Sequence, residues 1–345
     1  MTQSRRESIF SKACRGLATS HTPIWLNRQA GRYMPEYHRV KGDTPGLEFF
    51  KHPELASRVT LDAQRILGTD AAIMFADLLP ILEPMGMELE YQPGVGPVFH
   101  NPVRTAAQIN ALRVVPAEEG VGYVQEIIAR ILEELPKDIA LLGFAGAPFT
   151  LASYAIEGKG SRNYTHVKKL MHTSPELWSV LMDKLVLVIA DYVKLQIRSG
   201  IDALKIFDSW VGCLSVSDYR RFVAPYTRKL MDAITGEIPI TYFGVENMHL
   251  IDLMYETGPD SMALDWKTPL RSTWDRLGCK SIEGNFDPII LCTDKKSIAR
   301  EAQRILDEVA GKPGHIFNLG HGIIPETPVD NVKFLIDYVH EHSTG

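Results

Sequence analysis

Eight short apolar runs, separated by longer helical patterns, constrain this chain more than any other feature. They are Ile24-Trp25-Leu26, Ala71 to Ala76, Ile139 to Ala145, Ala203 to Phe207, Ile238 to Phe243, Met262 to Leu264, Ser281 to Phe286 and His315 to Leu319. Several are apolar at nearly every position, as strands are when both faces of a parallel sheet are covered. Helix signals stand between them. Ser174 is placed as an N-cap before Pro175 and Glu176, the apolar positions Leu177, Leu181, Leu185 and Val188 follow, and Gly200 ends the pattern. Thr268-Pro269 and Thr327-Pro328 repeat the start signal, and Gly236, Gly258, Gly278 and Gly311 fall where helices should stop. Pro225 divides the stretch from Ser217 to Thr235. Strand–helix alternation repeated eight times predicts an α/β chain, a (β/α)8 TIM barrel formed as a single domain over residues 1–345. A doubly wound open sheet is the competing architecture. It needs a glycine fingerprint after its first strand, and here the first run leads into Asn27-Arg28-Gln29-Ala30-Gly31-Arg32. Gly158-Lys159-Gly160-Ser161 lacks the upstream glycine of a phosphate loop. The stretch from Leu82 to His100 reads as a short insertion after strand 2, holding a small hairpin.

Charge narrows the partners. The net charge of −5 argues against nucleic acid and against a polybasic membrane binder. It hides an asymmetry: residues 1–60 carry ten basic and five acidic groups, which leaves −10 for the other 285 residues. No apolar run approaches the ~18–20 residues of a membrane span. Met1 to Ser20 has no hydrophobic centre and so does not read as a secretory signal. The four cysteines, Cys14, Cys213, Cys279 and Cys292, show no paired or zinc-type spacing. They read as reduced thiols of a cytoplasmic protein.

In a barrel the chemistry lies at the C-terminal strand ends. The residues following the runs are Arg28 with Arg32, Asp77, Phe144 with Tyr154 beyond it, Asp208-Ser209, Phe243, Asp265-Trp266, Asn285 with Asp287, and Gly320-His321-Gly322. One histidine, and no cysteine except Cys213, lies at these ends, so no catalytic-metal ligand set is expected. The two arginines offer planar forks of donors suited to carboxylate or phosphate. Asp77 is bracketed by Ile73, Phe75, Leu78 and Leu79, and a charge there needs donors from protein or ligand. Each residue also has a plain structural use. Arg28 can pair with Asp77 as a buried ion pair, and Arg32 can pair with Glu36 at i,i+4. Asp208 can cap the next helix, Asp265 can hold a loop, and Tyr154 can sit in the core with its hydroxyl satisfied. Lys205, in mid-strand, is of the type that forms Schiff bases, but nothing near it in sequence supports that role. Together the set points to a cofactor-free barrel enzyme acting on an anionic substrate.

The stretch Asn27-Arg28-Gln29-Ala30-Gly31-Arg32-Tyr33-Met34-Pro35-Glu36-Tyr37 resembles the N-terminal signature of the uroporphyrinogen decarboxylase family. The resemblance continues in order through Phe75-Ala76-Asp77-Leu78-Leu79, the block from Gly143 to Thr150, Tyr154 with Glu157-Gly158, Phe207-Asp208-Ser209, the block from Gly284 to Pro288, and the block from Asn318 to Gly322. It implies a (β/α)8 barrel, a homodimer, and neither a metal nor an organic cofactor. The implied reaction removes CO2 from the four acetate side chains of uroporphyrinogen III, leaving methyl groups and coproporphyrinogen III. Residue by residue, the resemblance implies that Arg28 and Arg32 bind substrate carboxylates and that Asp77 faces the pyrrole N–H groups at the macrocycle centre. Tyr154, Ser209 and His321 complete the polar cleft, and Phe144 and Phe207 form apolar walls. Asp77 and Arg28 are the implied catalytic residues, Arg28 as a candidate proton donor. Lys41 lies where relatives often carry another basic residue. Trp210-Val211 depart from the family pattern, and nothing is carried over to them.

The implied chemistry suits these residue types. Loss of CO2 from an acetate leaves an electron pair that usually needs a cofactor sink. A pyrrole protonated on carbon supplies that sink from the substrate itself. The protein then needs a proton donor, an anion to stabilise the cationic ring, and clamps for acidic side chains. Arginine titrates above ~12, which favours clamping over proton delivery, so the donor is Arg28, a water or a substrate acid. Two other readings remain. One is a methyl-transferring barrel relative, which would carry a His/Cys zinc site. The other is an inactive tetrapyrrole carrier, against which the retention of Arg28, Asp77, Tyr154 and His321 argues.

Overall fold

A computed structural model of the chain describes Arg5 and residues 7–343. Residues 1–4, at the head of the Met1 to Ser20 stretch, lie outside the described residues, as does Arg6. The strands in chain order are β1 (Ala71–Ile73), β2 (Leu89–Gln92), β3 (Gly96–Phe99), β4 (Ala140–Gly146), β5 (Ala203–Asp208), β6 (Ile240–Gly244), β7 (Ser261–Ala263), β8 (Ser281–Glu283) and β9 (His315–Ile316). β1 and β4 to β9 pair in parallel and in sequence order as one seven-stranded sheet, while β2 and β3 pair antiparallel on their own. Every residue of β4 is buried, in keeping with its unbroken apolar run.

The first apolar run departs from expectation. Ile24 to Leu26 makes a single parallel bridge, Ile24 to Phe317, and no strand. Pro23 has no N–H to give. After Trp25 the backbone donors leave the ladder: Leu26 N bonds Gln29 Oε1 at 3.3 Å and Asn27 N bonds Asn318 Oδ1 at 2.9 Å. This segment nevertheless meets both edges of the sheet. Asp70, just before β1, donates its N–H to Ile24 O at 2.9 Å, and Phe317, just after β9, donates to Pro23 O at 2.8 Å. The sheet is therefore strongly curled. β8 and β9 also end earlier than their apolar runs. Gly284 has φ 128°, and a Cβ there would come within 2.9 Å of Leu264 O. Pairing resumes beyond it only as a bridge between Phe286 and Leu319.

The principal helices used below are α1 (Pro35–Lys41), α2 (Pro53–Leu67), α3 (Pro148–Glu157), α4 (Pro175–Ser199), α5 (Ala224–Ile234), α6 (Leu270–Leu277) and α7 (Val329–His342). α4 has the expected bounds, and left-handed Gly200 closes it by donating to Gln196 O and Ile197 O. Ser174 occupies the N-cap position without a side-chain cap bond. α6 and α7 begin one residue later than their start signals, with Pro269 and Pro328 as N-caps. Thr268 does not cap α6; its hydroxyl donates to Asp265 Oδ1 at 2.7 Å. Pro225 sits in the first turn of α5, after a π-helical turn over Tyr219–Val223.

The sheet interior holds charge. Lys205 of β5 and Glu283 of β8 are each 1% exposed and form an ion pair. Glu283 also accepts from Asn318 Nδ2 at 2.8 Å, and the Lys205 ammonium lies 5.0 Å from the Trp25 ring centroid. Lys205 is thus the counter-ion of a buried glutamate. The four cysteines are free thiols. Among the described residues no helix is long and apolar enough to cross a membrane.

Candidate active site

The loop after Trp25 is built to present Arg28. Its neighbours are anchors. Asn27 donates its side-chain amide to Leu319 O at 3.1 Å, and its own carbonyl accepts from Ile323 N. Gln29, 1% exposed, donates to Ala71 O at 3.2 Å. Tyr33 OH then donates to Gln29 O at 2.6 Å. Between these anchors Arg28 is exposed, in the left-handed region with φ 61°. That conformation is uncommon for a residue with a Cβ and is held here by its surroundings. Gly322 makes room for its side chain: a Cβ on Gly322 would lie 2.4 Å from Arg28 Cδ and 2.7 Å from Cγ. The glycine beside His321 serves the arginine.

The two ion pairs that sequence spacing allows do not form. Glu36 is bonded by Arg39 at 2.6 Å, leaving Arg32 exposed. Arg28 makes no ion pair with Asp77 among the described residues, although its positive charge lowers the Asp77 pKa. Lys41 is turned to Thr44 O, at 2.7 Å.

Asp77 follows β1 and is partly buried. Leu79 N donates to its Oδ1 at 3.1 Å. Burial holds the carboxyl above its ordinary range, against the opposing pull of Tyr91, of the Leu79 N–H and of Arg28. Phenols surround it. Burial and then the Asp77 charge push up Tyr91, Tyr192 and Tyr154, the last to about 12. Tyr123 is raised by burial first, with a contribution from Asp77. All four therefore stay protonated near neutrality. The Tyr91 hydroxyl is buried and reaches full hydrogen-bond geometry with no protein atom, yet it lies close enough to Asp77 for each to shift the other's ionisation. It is best described as a donor held beside the carboxylate without being spent on it.

Tyr91 was missed by sequence reasoning. It lies on β2, in the small hairpin expected within Leu82 to His100. Aromatic packing brings it to the site: Tyr37 of α1 and Phe49 pack on Phe75, and Phe50 bridges Phe75 and Tyr91 with centroid distances of 5.3 and 5.2 Å. Phe99 N donates to Gly158 O, which docks the other hairpin strand against the end of α3. A tyrosine in an alternating segment gives no hint of this in the sequence.

Phe144 and Phe207 are neighbouring rings on β4 and β5, 5.9 Å apart, and Phe207 meets Phe243 of β6 at the same distance. Tyr154, on α3, packs against Trp210 at 5.6 Å. His321 lies edge-on to Trp266 at 6.3 Å, and burial, then Arg28, lowers its pKa, so it is neutral at neutral pH. Ser209 is partly buried just past β5. Asp208 is no helix cap. It is fully buried, accepts from Thr150 Oγ1 and Tyr242 OH at 2.7 Å each, and burial raises its pKa to about 6. Asp265 does hold a loop, accepting from Glu246 N, Lys267 N and the Thr268 hydroxyl.

The uroporphyrinogen decarboxylase (URO-D) family profile matches residues 5–342. A uroporphyrinogen decarboxylase of Koribacter versatilis is 48% identical over 340 residues, covering 98% of this chain and 97% of its own. One from Sorangium cellulosum is 47% identical over 333 residues, covering 96% and 95%. Among solved structures, a methyltransferase from Methanosarcina mazei superposes with a TM-score of 0.81 at 20% identity, covering 97% of this chain and 98% of its own. That identity speaks for a shared fold alone. A zinc-dependent methyl-transfer reading would need His and Cys ligands at the strand ends. Among the described residues, the one close group of three His, Cys, Asp or Glu side chains is His21, Asp70 and His340, which lies elsewhere.

Proposed function

The chain belongs to the uroporphyrinogen decarboxylase family, and from that premise we propose a division of labour in which Asp77 holds the macrocycle and the arginines hold its acids. The activity is that of a carboxy-lyase: the acetate side chains of uroporphyrinogen III lose CO2 and become methyl groups, giving coproporphyrinogen III in tetrapyrrole biosynthesis. One observation carries the assignment of residues. Among the described residues Asp77 is a carboxylate at a strand end with no ion pair, near neutral phenols, while Arg28 and Arg32 stand exposed and unpaired. An anion so placed keeps acceptor capacity for the pyrrole N–H donors, and two free guanidiniums match substrate carboxylates.

In this reading a pyrrole carbon takes up a proton, the ring becomes cationic, and the bond to CO2 breaks as its electron pair flows into that ring. The exocyclic carbon then takes a proton to become methyl while the ring carbon gives its own up. Asp77 stabilises the cationic ring in a site where water is largely replaced by aromatic groups. Arg28 and Arg32 orient the acetate that reacts. Neutral His321, Tyr154 and Ser209 supply hydrogen bonds, and Phe144 and Phe207 form the apolar wall. Arg28 serves as clamp, and the proton comes from a substrate acid or a water held by it. No organic cofactor or metal enters this scheme, because the protonated pyrrole is the electron sink.

The seven-stranded sheet is read as a (β/α)8 barrel closed at Pro23 to Trp25, which the hydrogen bonds to Asp70 and Phe317 support. We take residues 1–345 as one domain, working as a cytoplasmic homodimer on a small-molecule substrate, without nucleic acid or membrane. Incubating the purified protein with uroporphyrinogen should release CO2 and coproporphyrinogen. Asp77→Ala should lower kcat/KM by about 10²–10³-fold, the scale of losing an electrostatic stabiliser, and Tyr154→Phe by far less. Full activity in Asp77→Ala would sink the anchoring role. Arg28→Lys separates two functions: a loss mainly in KM marks clamping, and one mainly in kcat marks proton delivery.

A further inference from the structure

We propose that His21, Asp70 and His340 form a site for one divalent metal ion of the zinc class, at the opposite end of the strands from the candidate active site. Asp70 immediately precedes β1, His21 lies just before the first apolar run, and His340 is in the last turn of α7. His21 Nε2 is 3.3 Å from Asp70 Oδ1, and His340 Nε2 is 2.9 Å from Asp70 Oδ2. One ligand atom from each of the three lies within 4.8 Å of the others, and the two imidazole centroids are 4.6 Å apart.

Two imidazoles and a carboxylate are a protein ligand set for zinc, with the fourth position left to water. Metal bonds of about 2.0–2.1 Å in a tetrahedron place ligand atoms about 3.3 Å apart. The two imidazole–carboxylate separations are near that edge length but run to different oxygens of Asp70, so binding asks that the imidazoles and the carboxylate shift until all three face one point. Outer contacts orient the ligands, as metal sites require. Ile24 N donates to Asp70 Oδ2 at 2.8 Å, and Ser20 Oγ lies 3.2 Å from His21 Nδ1, which leaves His21 Nε2 facing inward. The side chains of His21, Asp70 and His340 are 24%, 10% and 29% exposed, so an ion in solution can reach them. The bound ion ties the start of the chain, the foot of β1 and the last helix together. This site stands apart from the decarboxylation chemistry and does not depend on it.

The test titrates the metal-stripped full chain with Zn²⁺ against a chromogenic chelator. The wild type should bind one equivalent, and His21→Gln and His340→Gln should each weaken binding at least about tenfold while decarboxylation is unchanged. A second measurement needs no variant. In protein labelled with ¹⁵N-histidine, Zn²⁺ should move the ring resonances of His21 and His340 and leave the other nine of the eleven histidines in place. Absence of binding, wild-type affinity in both variants, or shifts confined to other histidines overturns the site and leaves Asp70 as a hydrogen-bond hub.

Discussion

Asp77 is set against its surroundings: burial favours the protonated form, and the nearby Tyr91 hydroxyl, the Leu79 N–H, Arg28 and the Leu78 N–H oppose it. The proposed role needs the ionised form. Activity should therefore fall as pH drops through a value above the ordinary carboxylate range. Tyr91 lowers the Asp77 pKa, so Tyr91→Phe should raise it and move the acid limb of the kcat/KM profile to higher pH. Measurement of the profile in both proteins checks this; an unmoved limb would show that Tyr91 is only packing. Asp77 was legible in the sequence because apolar neighbours flag a carboxylate that needs donors. Tyr91 was not, because its position depends on Phe50 and Phe75 stacking across three separate segments.

At the level of elements, the apolar runs located the sheet well, and the disagreements have local causes. Backbone donors of Leu26 and Asn27 spent on side chains cost the first run its strand, and Gly284 cuts β8 short. The hairpin was readable from its glycines, but not what it carries. The loop holding Arg28 and the loop holding His321 prove to be one packed unit, joined where Gly322 lies under the arginine. Gly322→Ala should displace the Arg28 side chain by contact alone. We expect kcat/KM to fall about tenfold or more while the unfolding midpoint changes little, since the clash is with a side chain at the cleft and not with the core. Assaying turnover and thermal unfolding together distinguishes this from a general loss of structure.

For the whole molecule, the interior carries more charge than the sequence suggested. Lys205 looked like an unattached lysine; its partner Glu283 is 78 residues away, beyond any local pattern. His21 and His340 stand 49 and 270 residues from Asp70, which is why spacing rules for metal sites overlook them. Asp208 gives a measurable consequence. Its folded-state pKa of about 6 lies above the value of 3.8 for the free side chain. Its contribution is fully present below about 3.8 and is lost as pH rises through about 6. The size is on the order of 3 kcal/mol. Asp208→Asn should remove that dependence, so the wild-type stability relative to the variant should decline between pH 4 and pH 7 in denaturant titrations. A constant difference across that range would count against a buried, reluctantly ionised Asp208.

The segment from Pro23 to Asn27 also sets an order of events during synthesis. Asn27 is held by Asn318 and Leu319, residues made about 290 positions later. The ribosome therefore releases the arginine loop long before its seat exists. A nascent chain that stops short of Asn318 can assemble β1 and β4 to β6 by nearest-neighbour pairing, yet it has no way to fix Arg28. Contacts this distant in sequence are slow to find. Acquisition of activity should thus trail the first compaction of the polypeptide, and truncations from the C-terminus should abolish turnover before they abolish structure.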